Sequence, residues 1–222
     1  MTESQNIVYE YLSKRILDLP SNSPVLVAIS GKDASGKTIM ADLIAKYIQK
    51  QTDRQVIRIN VDDFMNERSV RYTEAASAGE GCYKYTFNFE AFKKYALEPL
   101  RPNGSYVYKN KVFDHATDKS MLAEDQKADS NAIVIIDGVF LFKKDLVDFW
   151  NLKILLETSD DVVIERGARR DETRIGNYDD ARKKFIDRYI ASQTIYYHEV
   201  SPDKLADIII NNDDYESPSI KY

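Results

Sequence analysis

Residues 25–29, Val25-Leu26-Val27-Ala28-Ile29, form an unbroken apolar run that leads within one residue into Gly31-Lys32-Asp33-Ala34-Ser35-Gly36-Lys37-Thr38. An amphipathic stretch follows immediately. The run is short and bounded by turn residues, the pattern of a strand buried on both faces of a parallel sheet. In residues 39–50, Ile39, Leu43, Ile44, Tyr47 and Ile48 share one helical face with polar residues opposite. Buried strand, glycine-bearing turn and helix in that order predict an α/β chain with a central parallel sheet and helices on both faces.

The eight-residue turn fits GxxxxGK[ST] at every position, and chance supplies such a match in about one chain in a hundred of this length. Its setting adds weight, because backbone N–H groups of the turn and of the helix N-terminus can converge there on phosphate oxygens. Gly31 and Gly36 allow the backbone conformation and close approach that a side chain would block. Gly31, Lys32, Asp33, Ala34, Ser35, Gly36, Lys37 and Thr38 are therefore the expected nucleotide-phosphate cradle. Lys37 should reach the β- and γ-phosphates, and the Thr38 hydroxyl should ligate Mg2+. The bland alternative is an ordinary strand-to-helix turn.

The same alternation runs on through the chain. Strands are predicted at 55–61, 132–136, 152–156 and 206–210, and helices at 2–19, 89–97, 140–149, 160–170 and 179–197. Three strands end in acids: Asp62 and Asp63, Asp137, and Glu157. Ligands of such sheets bind beyond the carboxyl ends of the strands, so these acids should face the site. Asp62 is the candidate base for an attacking hydroxyl and a candidate metal ligand, with Asp63 beside it on the substrate side. Asp137, closing Ile133-Val134-Ile135-Ile136, has the setting of a carboxylate that helps hold Mg2+ directly or through water. Helix capping is the alternative for each. Arg166, Arg169, Arg170 and Arg174 gather at a helix end and can neutralise a transferring phosphoryl group; Arg169 and Arg170 are read as catalytic and Arg174 as substrate-side, against an innocent solvated face. Segments 79–85 and 102–118 fit the alternation poorly and read as insertions, with Tyr106, Tyr108, Val112 and Phe113 suggesting a hairpin over the open end of the sheet.

Composition narrows the partners. A net charge of -5 over 222 residues, with both signs interspersed, lacks the basic footprint of a nucleic-acid binder and points to a small-molecule acceptor. The apolar run 132–142 is interrupted by Asp137 and Gly138 and is too short to span a bilayer, and residues 1–18 lack the form of a signal peptide. The single cysteine, Cys82, permits no internal disulfide, and a cytoplasmic home follows. His115 and His198 lack metal-ligand spacing. One domain over 1–222 is expected, with homo-oligomerisation open.

Several segments in order resemble the uridine kinase-like family of P-loop kinases, which includes phosphoribulokinase and pantothenate kinase relatives. They are Gly31 to Thr38, Val61-Asp62-Asp63-Phe64, Val112-Phe113-Asp114, Ile136-Asp137-Gly138-Val139-Phe140, Arg169-Arg170-Asp171 and Ala206-Asp207-Ile208-Ile209. The resemblance implies a nucleoside-kinase-like P-loop fold with lid insertions. It also implies transfer of the ATP γ-phosphoryl group to a primary hydroxyl with ATP and Mg2+ as cofactors, Asp62 as catalytic acid and Asp137 as metal-side acid. It makes Phe113, Asp114 and His115 candidate acceptor contacts, with phenylalanine where the family commonly has tyrosine, and Phe87-Asn88-Phe89 stands where the family has a Phe-Asp pattern.

Two other classes of protein share such a loop. A GTPase needs a guanine-reading NKxD, but Asn110-Lys111-Val112-Phe113 puts phenylalanine in the aspartate's place. A non-catalytic nucleotide sensor would explain the altered acceptor segment, yet has no need to keep Lys37, Thr38, Asp62 and Asp137 together.

Overall fold

The computed structural model describes residues 1–73, 75 and 77–221. Its first helix, α1 (Glu3–Leu17), starts where Thr2 accepts from the Gln5 N–H and the Gln5 side chain accepts from the Thr2 N–H, a reciprocal cap. Next come β1 (Val25–Gly31), α2 (Lys37–Gln49) and β2 (Val56–Asn60). Further on are α3 (Ala78–Tyr85), β3 (Ile133–Gly138), β4 (Leu152–Glu157), α4 (Asp160–Ile175), α5 (Tyr178–Lys184), α6 (Ala191–Val200), β5 (Ile208–Asn211) and β6 (Ser219–Lys221). The sheet order is β6-β5-β4-β1-β3-β2, parallel throughout except for β6, which runs antiparallel to β5.

Every residue of β1 is buried, as its unbroken apolar run requires. Val25, Val27 and Ile29 face Val8, Leu12, Ile16, Ile44 and Ile48 of α1 and α2. Leu26 and Ala28 face a second core that holds Phe64, Phe92, Phe140 and Tyr196. Each such side chain removed from water contributes about 1.5–3 kcal/mol, so the central strands are anchored from both sides and their carboxyl ends are fixed platforms. The register places Asp137 beside Ile29 on one side and beside Asn60 on the other.

Three expectations need correction. Residues 140–149 form no α-helix: Phe140 has φ of 62°, which a right-handed helix cannot hold, and only Val147–Phe149 makes a short 3-10 turn. Phe140, Leu141, Phe142 and Leu146 are all fully buried, and Trp150 Nε1 donates to the Leu141 carbonyl at 2.6 Å, so a compact turn buries them all where a helix would leave one face in water. The segment 79–85, expected as an insertion loop, is most of α3. Its first glycine serves packing, since a Cβ on Gly79 would lie 2.5 Å from the Ala191 Cβ of α6. The hairpin is longer than Tyr106 to Phe113: Val107–Tyr108 pairs with Gln126–Lys127, and Phe113–Asp114 pairs with Lys119–Ser120. The helix expected at 179–197 runs through α5, a π-helical Phe185–Ile190 and α6. Among the described residues no helix is long and apolar enough to cross a membrane.

Candidate active site

A cavity of about 480 Å³ lies at the carboxyl ends of β1, β2 and β3. Asp33, Ala34, Gly36, Lys37, Thr38 and Ile39 form its floor. The loop reverses through Ala34 at φ 60° and Gly36 at φ 94°, and a Cβ on Gly36 would meet Asn212 Nδ2 at 2.9 Å. Gly36 is also the N-cap of α2 and supplies no side chain to the first helical N–H groups. Those donors open onto the cavity together with the positive end of the helix dipole, which is the chemistry of a phosphate cradle. Gly31, Lys32 and Ser35 stand behind the lining. Lys32 donates to Asp160 at 2.5 Å and to the Thr158 carbonyl at 3.1 Å, and Asn212 donates to the Ser35 carbonyl at 2.7 Å.

Lys37 is nearly buried, and its ammonium donates to the Lys32 carbonyl at 2.6 Å. Burial lowers its pKa, while Asp33, Asp62 and Asp137 oppose that shift. The Thr38 hydroxyl donates to Asp137 Oδ2 at 2.6 Å. Asp137 is 1% exposed and also receives Arg58 Nη2 at 2.6 Å and Asn60 Nδ2 at 3.2 Å. Among the described residues no group of three His, Cys, Asp or Glu side chains can hold a metal alone. One buried carboxylate beside a threonine hydroxyl fits Mg2+ that brings its remaining ligands as phosphate oxygens and water.

Asp62 follows β2 on the 3-10 turn Val61–Phe64, its N–H held by Asn60 Oδ1 at 2.7 Å. The residue is solvent-accessible, but that surface opens into the cavity, and the carboxyl is packed deeply enough for its pKa to rise to about 6. Desolvation is the main cause, Asp33 and Asp137 add to it, and Lys37 opposes it.

The arginines separate. Arg166 and Arg170 line the cavity. Arg169 points to the surface, 70% exposed and paired with Glu165 at 2.5 Å, and it does not line the cavity. Arg174 pairs at 2.8 Å with Asp171, the same buried carboxylate that Arg170 engages at 3.0 Å. The predicted substrate residues form a neighbouring cluster. His115 Nε2 is 3.4 Å from Asp63, and the buried Phe113 ring packs edge-on against His115 at 5.0 Å. Asp114 accepts from the Ala116 N–H and the Thr117 hydroxyl and so stabilises its own turn. Asn88 Oδ1 accepts from the Ala91 N–H, a capping role that asparagine and aspartate fill alike.

Sequence reasoning missed Arg58, Asn60, Asn212 and Tyr215. Arg58 and Asn60 carry a readable signal, because they are polar residues two apart on one side of a strand that leads into the site. Asn212 and Tyr215 follow β5, and no local pattern marks them.

The family model described as Phosphoribulokinase / Uridine kinase family matches residues 26–214. Among curated relatives, the uridine kinase of Ligilactobacillus salivarius is 24% identical over 192 residues, covering 85% of each chain. The chloroplastic uridine/cytidine kinase UKL1 of Arabidopsis thaliana is 25% identical over 156 residues, which span 70% of this chain but only 31% of that protein. A solved structure described as a possible uridine kinase from Bacillus stearothermophilus superposes with a TM-score of 0.74 over 92% of this chain and 97% of its own, at 22% identity, which shows a shared fold. With the strand-turn-helix cradle and the acids at the strand ends in place, the chain belongs to the phosphoribulokinase/uridine kinase family of P-loop kinases.

Proposed function

We propose that this protein transfers the γ-phosphoryl group of Mg·ATP to a hydroxyl of a nucleoside or similar small metabolite, with uridine or cytidine the first acceptors to test. The convergence of Lys37, Thr38, Asp62 and Asp137 on one cavity at the strand ends carries the reading. Uridine comes first because both curated relatives above are named for it, and cytidine follows because one of them is named for it as well.

In this reading the loop N–H groups and Lys37 hold the phosphates, and Thr38 and Asp137 hold Mg2+, with Asp62 close enough to contribute. The metal, when bound, neutralises phosphate charge and orients the γ-group. Asp62 accepts the acceptor's hydroxyl proton. With a pKa of about 6 it is mainly ionised at pH 7, and it is a stronger base than an ordinary carboxylate. Arg170, positioned by Asp171, faces the cavity and stabilises charge on the transferring group. His115 is in electrostatic reach of Asp62 and pairs with Asp63, with Phe113 packed behind it. Asp63, Phe113 and His115 lie outside the cavity's lining, and in this reading an acceptor whose hydroxyl meets Asp62 extends toward them.

The test is ADP release from Mg·ATP across a panel of nucleosides, phosphorylated sugars and pantothenate, with Lys37→Ala as the blank. A Lys37-dependent signal with uridine or cytidine supports the reading in full, and a signal with another acceptor keeps the mechanism and changes the substrate. Silence across the panel with ATP still bound would favour a nucleotide sensor.

A further inference from the structure

A second cavity, of about 570 Å³, has no part in the mechanism above. It lies between the helical turn Arg68–Arg71, α3 and the π-helical Phe185–Ile190, and its lining includes Arg68, Arg71, Tyr72, Lys184, Asp187 and Arg188. The cations gather around one ring: Arg188 Cζ is 4.2 Å from the Tyr72 centroid, Arg68 Cζ 4.8 Å and Lys184 Nζ 6.0 Å.

Among the described residues their charge is only partly compensated. Asp187 pairs with Lys183, and Asp118 pairs with Arg71 while also accepting from the Arg68 N–H. Among the described residues no carboxylate lies within 4.0 Å of the Arg68, Lys184 or Arg188 side-chain nitrogens. Arg188 is only 6% exposed, and its guanidinium donates to two neutral groups, the carbonyls of Arg71 at 3.1 Å and Ala78 at 3.3 Å. Arg71 Nε is buried without a partner among the described residues. A guanidinium taken out of water without a counter-charge is costly, and neighbouring cations add repulsion. The arrangement becomes favourable when an anion enters, and two arginine forks suit the oxygens of a phosphate or carboxylate.

The cavity also adjoins the proposed acceptor contacts. The Arg71 guanidinium stands 5.5 Å over the Phe113 ring, which packs on His115, which in turn lies beside Asp63. Tyr189, on the same π-helical segment, is in electrostatic reach of both Asp33 and Tyr72.

We propose that this cavity is an anion site in which Arg68, Arg71, Lys184 and Arg188 bind a phosphate or carboxylate group of a small molecule. The group belongs either to the acceptor itself, at the end away from the reacting hydroxyl, or to a separate anionic effector. Only the first of these sources rests on the kinase reading.

The experiment titrates inorganic phosphate into the full chain saturated with Mg·ADP, comparing wild type with the double variant Arg68→Gln/Lys184→Gln. Arg188→Gln is avoided because its side chain is buried and bonded to two backbone carbonyls, so that its loss would disturb the fold as well as the site. The site predicts saturable phosphate binding that weakens at least tenfold in the double variant, with thermal midpoint and Mg·ADP affinity unchanged. Absence of phosphate binding, or equal affinity in both proteins, overturns the proposal. A kinetic arm separates the sources: phosphate that raises the acceptor KM and leaves kcat alone marks the acceptor's own subsite, and phosphate that changes kcat marks an effector site. Asp62→Asn should bind phosphate normally, so loss of turnover in that variant tests the kinase reading without touching this one.

Discussion

The two ends of the cleft are built by different means. At the phosphate end, the loop after β1, Asp62 after β2 and Asp137 in β3 all sit at strand termini, with Arg170 reaching in from α4, and sheet register fixes which terminus meets which: Asp137 lies beside Ile29 and Asn60 because β3 runs between β1 and β2. At the proposed acceptor end, Asp63, Phe113 and His115 come from turns and a two-residue ladder, and the neighbouring cations around Tyr72 come from a short helical turn and a helix with a π-helical middle. A central sheet buried on both faces tolerates little change, whereas connecting segments are free to vary. The first end can therefore be common to a family of kinases, and the second can set what each one phosphorylates.

Substitutions can break this contrast. Lys37→Ala should have the largest effect, a loss of turnover on the order of 10³-fold or more in the coupled ADP assay with an unchanged circular dichroism spectrum, since the ammonium meets charge that grows in the transition state. Asp62→Asn should follow with a loss on the order of 10²- to 10³-fold while Mg·ATP affinity is kept; near-normal turnover would remove Asp62 as the base. The same carboxyl makes a pH prediction. Its proton must be off for it to act, so kcat/KM of wild type should rise with pH through about 6. Its folded pKa is raised, so the stability it contributes is fully present below the ordinary carboxylate range and is lost as pH rises through about 6. Asp62→Asn should accordingly raise the thermal midpoint relative to wild type at pH 7 and not at pH 3.

Stability tests sharpen the comparison further. Arg58→Leu strips the cationic partner from the buried Asp137 and should cost about 2–3 kcal/mol in urea unfolding. Asp114→Ala, at the proposed acceptor end, removes two local hydrogen bonds in an exposed turn and should lower the urea midpoint less than Arg58→Leu does, with acceptor KM changed less than threefold. A tenfold rise in that KM at unchanged stability would give Asp114 a direct part in holding the acceptor.

The same division explains what could be read from residues alone. The five parallel strands, the loop from Gly31 to Thr38, and the placing of Asp62 and Asp137 at strand ends were legible, because hydrophobic runs and a glycine-lysine motif are local signals. Phe140 misled the reading, since an apolar run can close as a turn as readily as a helix when all of it is buried. The glycine-bearing start of α3 read as a loop because the Ala191 surface that Gly79 accommodates lies more than a hundred residues away. The arginines could be grouped by sequence but not aimed: only the fold shows Arg170 facing the cavity and Arg169 facing Glu165. Arg58 and Asn212 act through partners fixed by sheet order, which no local pattern reveals.

The hydrogen bond from Asn212 to the Ser35 carbonyl joins residues 177 positions apart. Contacts of such long range form late, because chain entropy opposes their closure until the intervening structure is in place. The loop next to β1 is thus synthesised well before β5 and reaches its final shape only after β5 has joined the sheet. A nascent chain that still lacks β5 would hold the complete phosphate-binding motif without the amide that braces it, and nucleotide affinity would report when folding is finished.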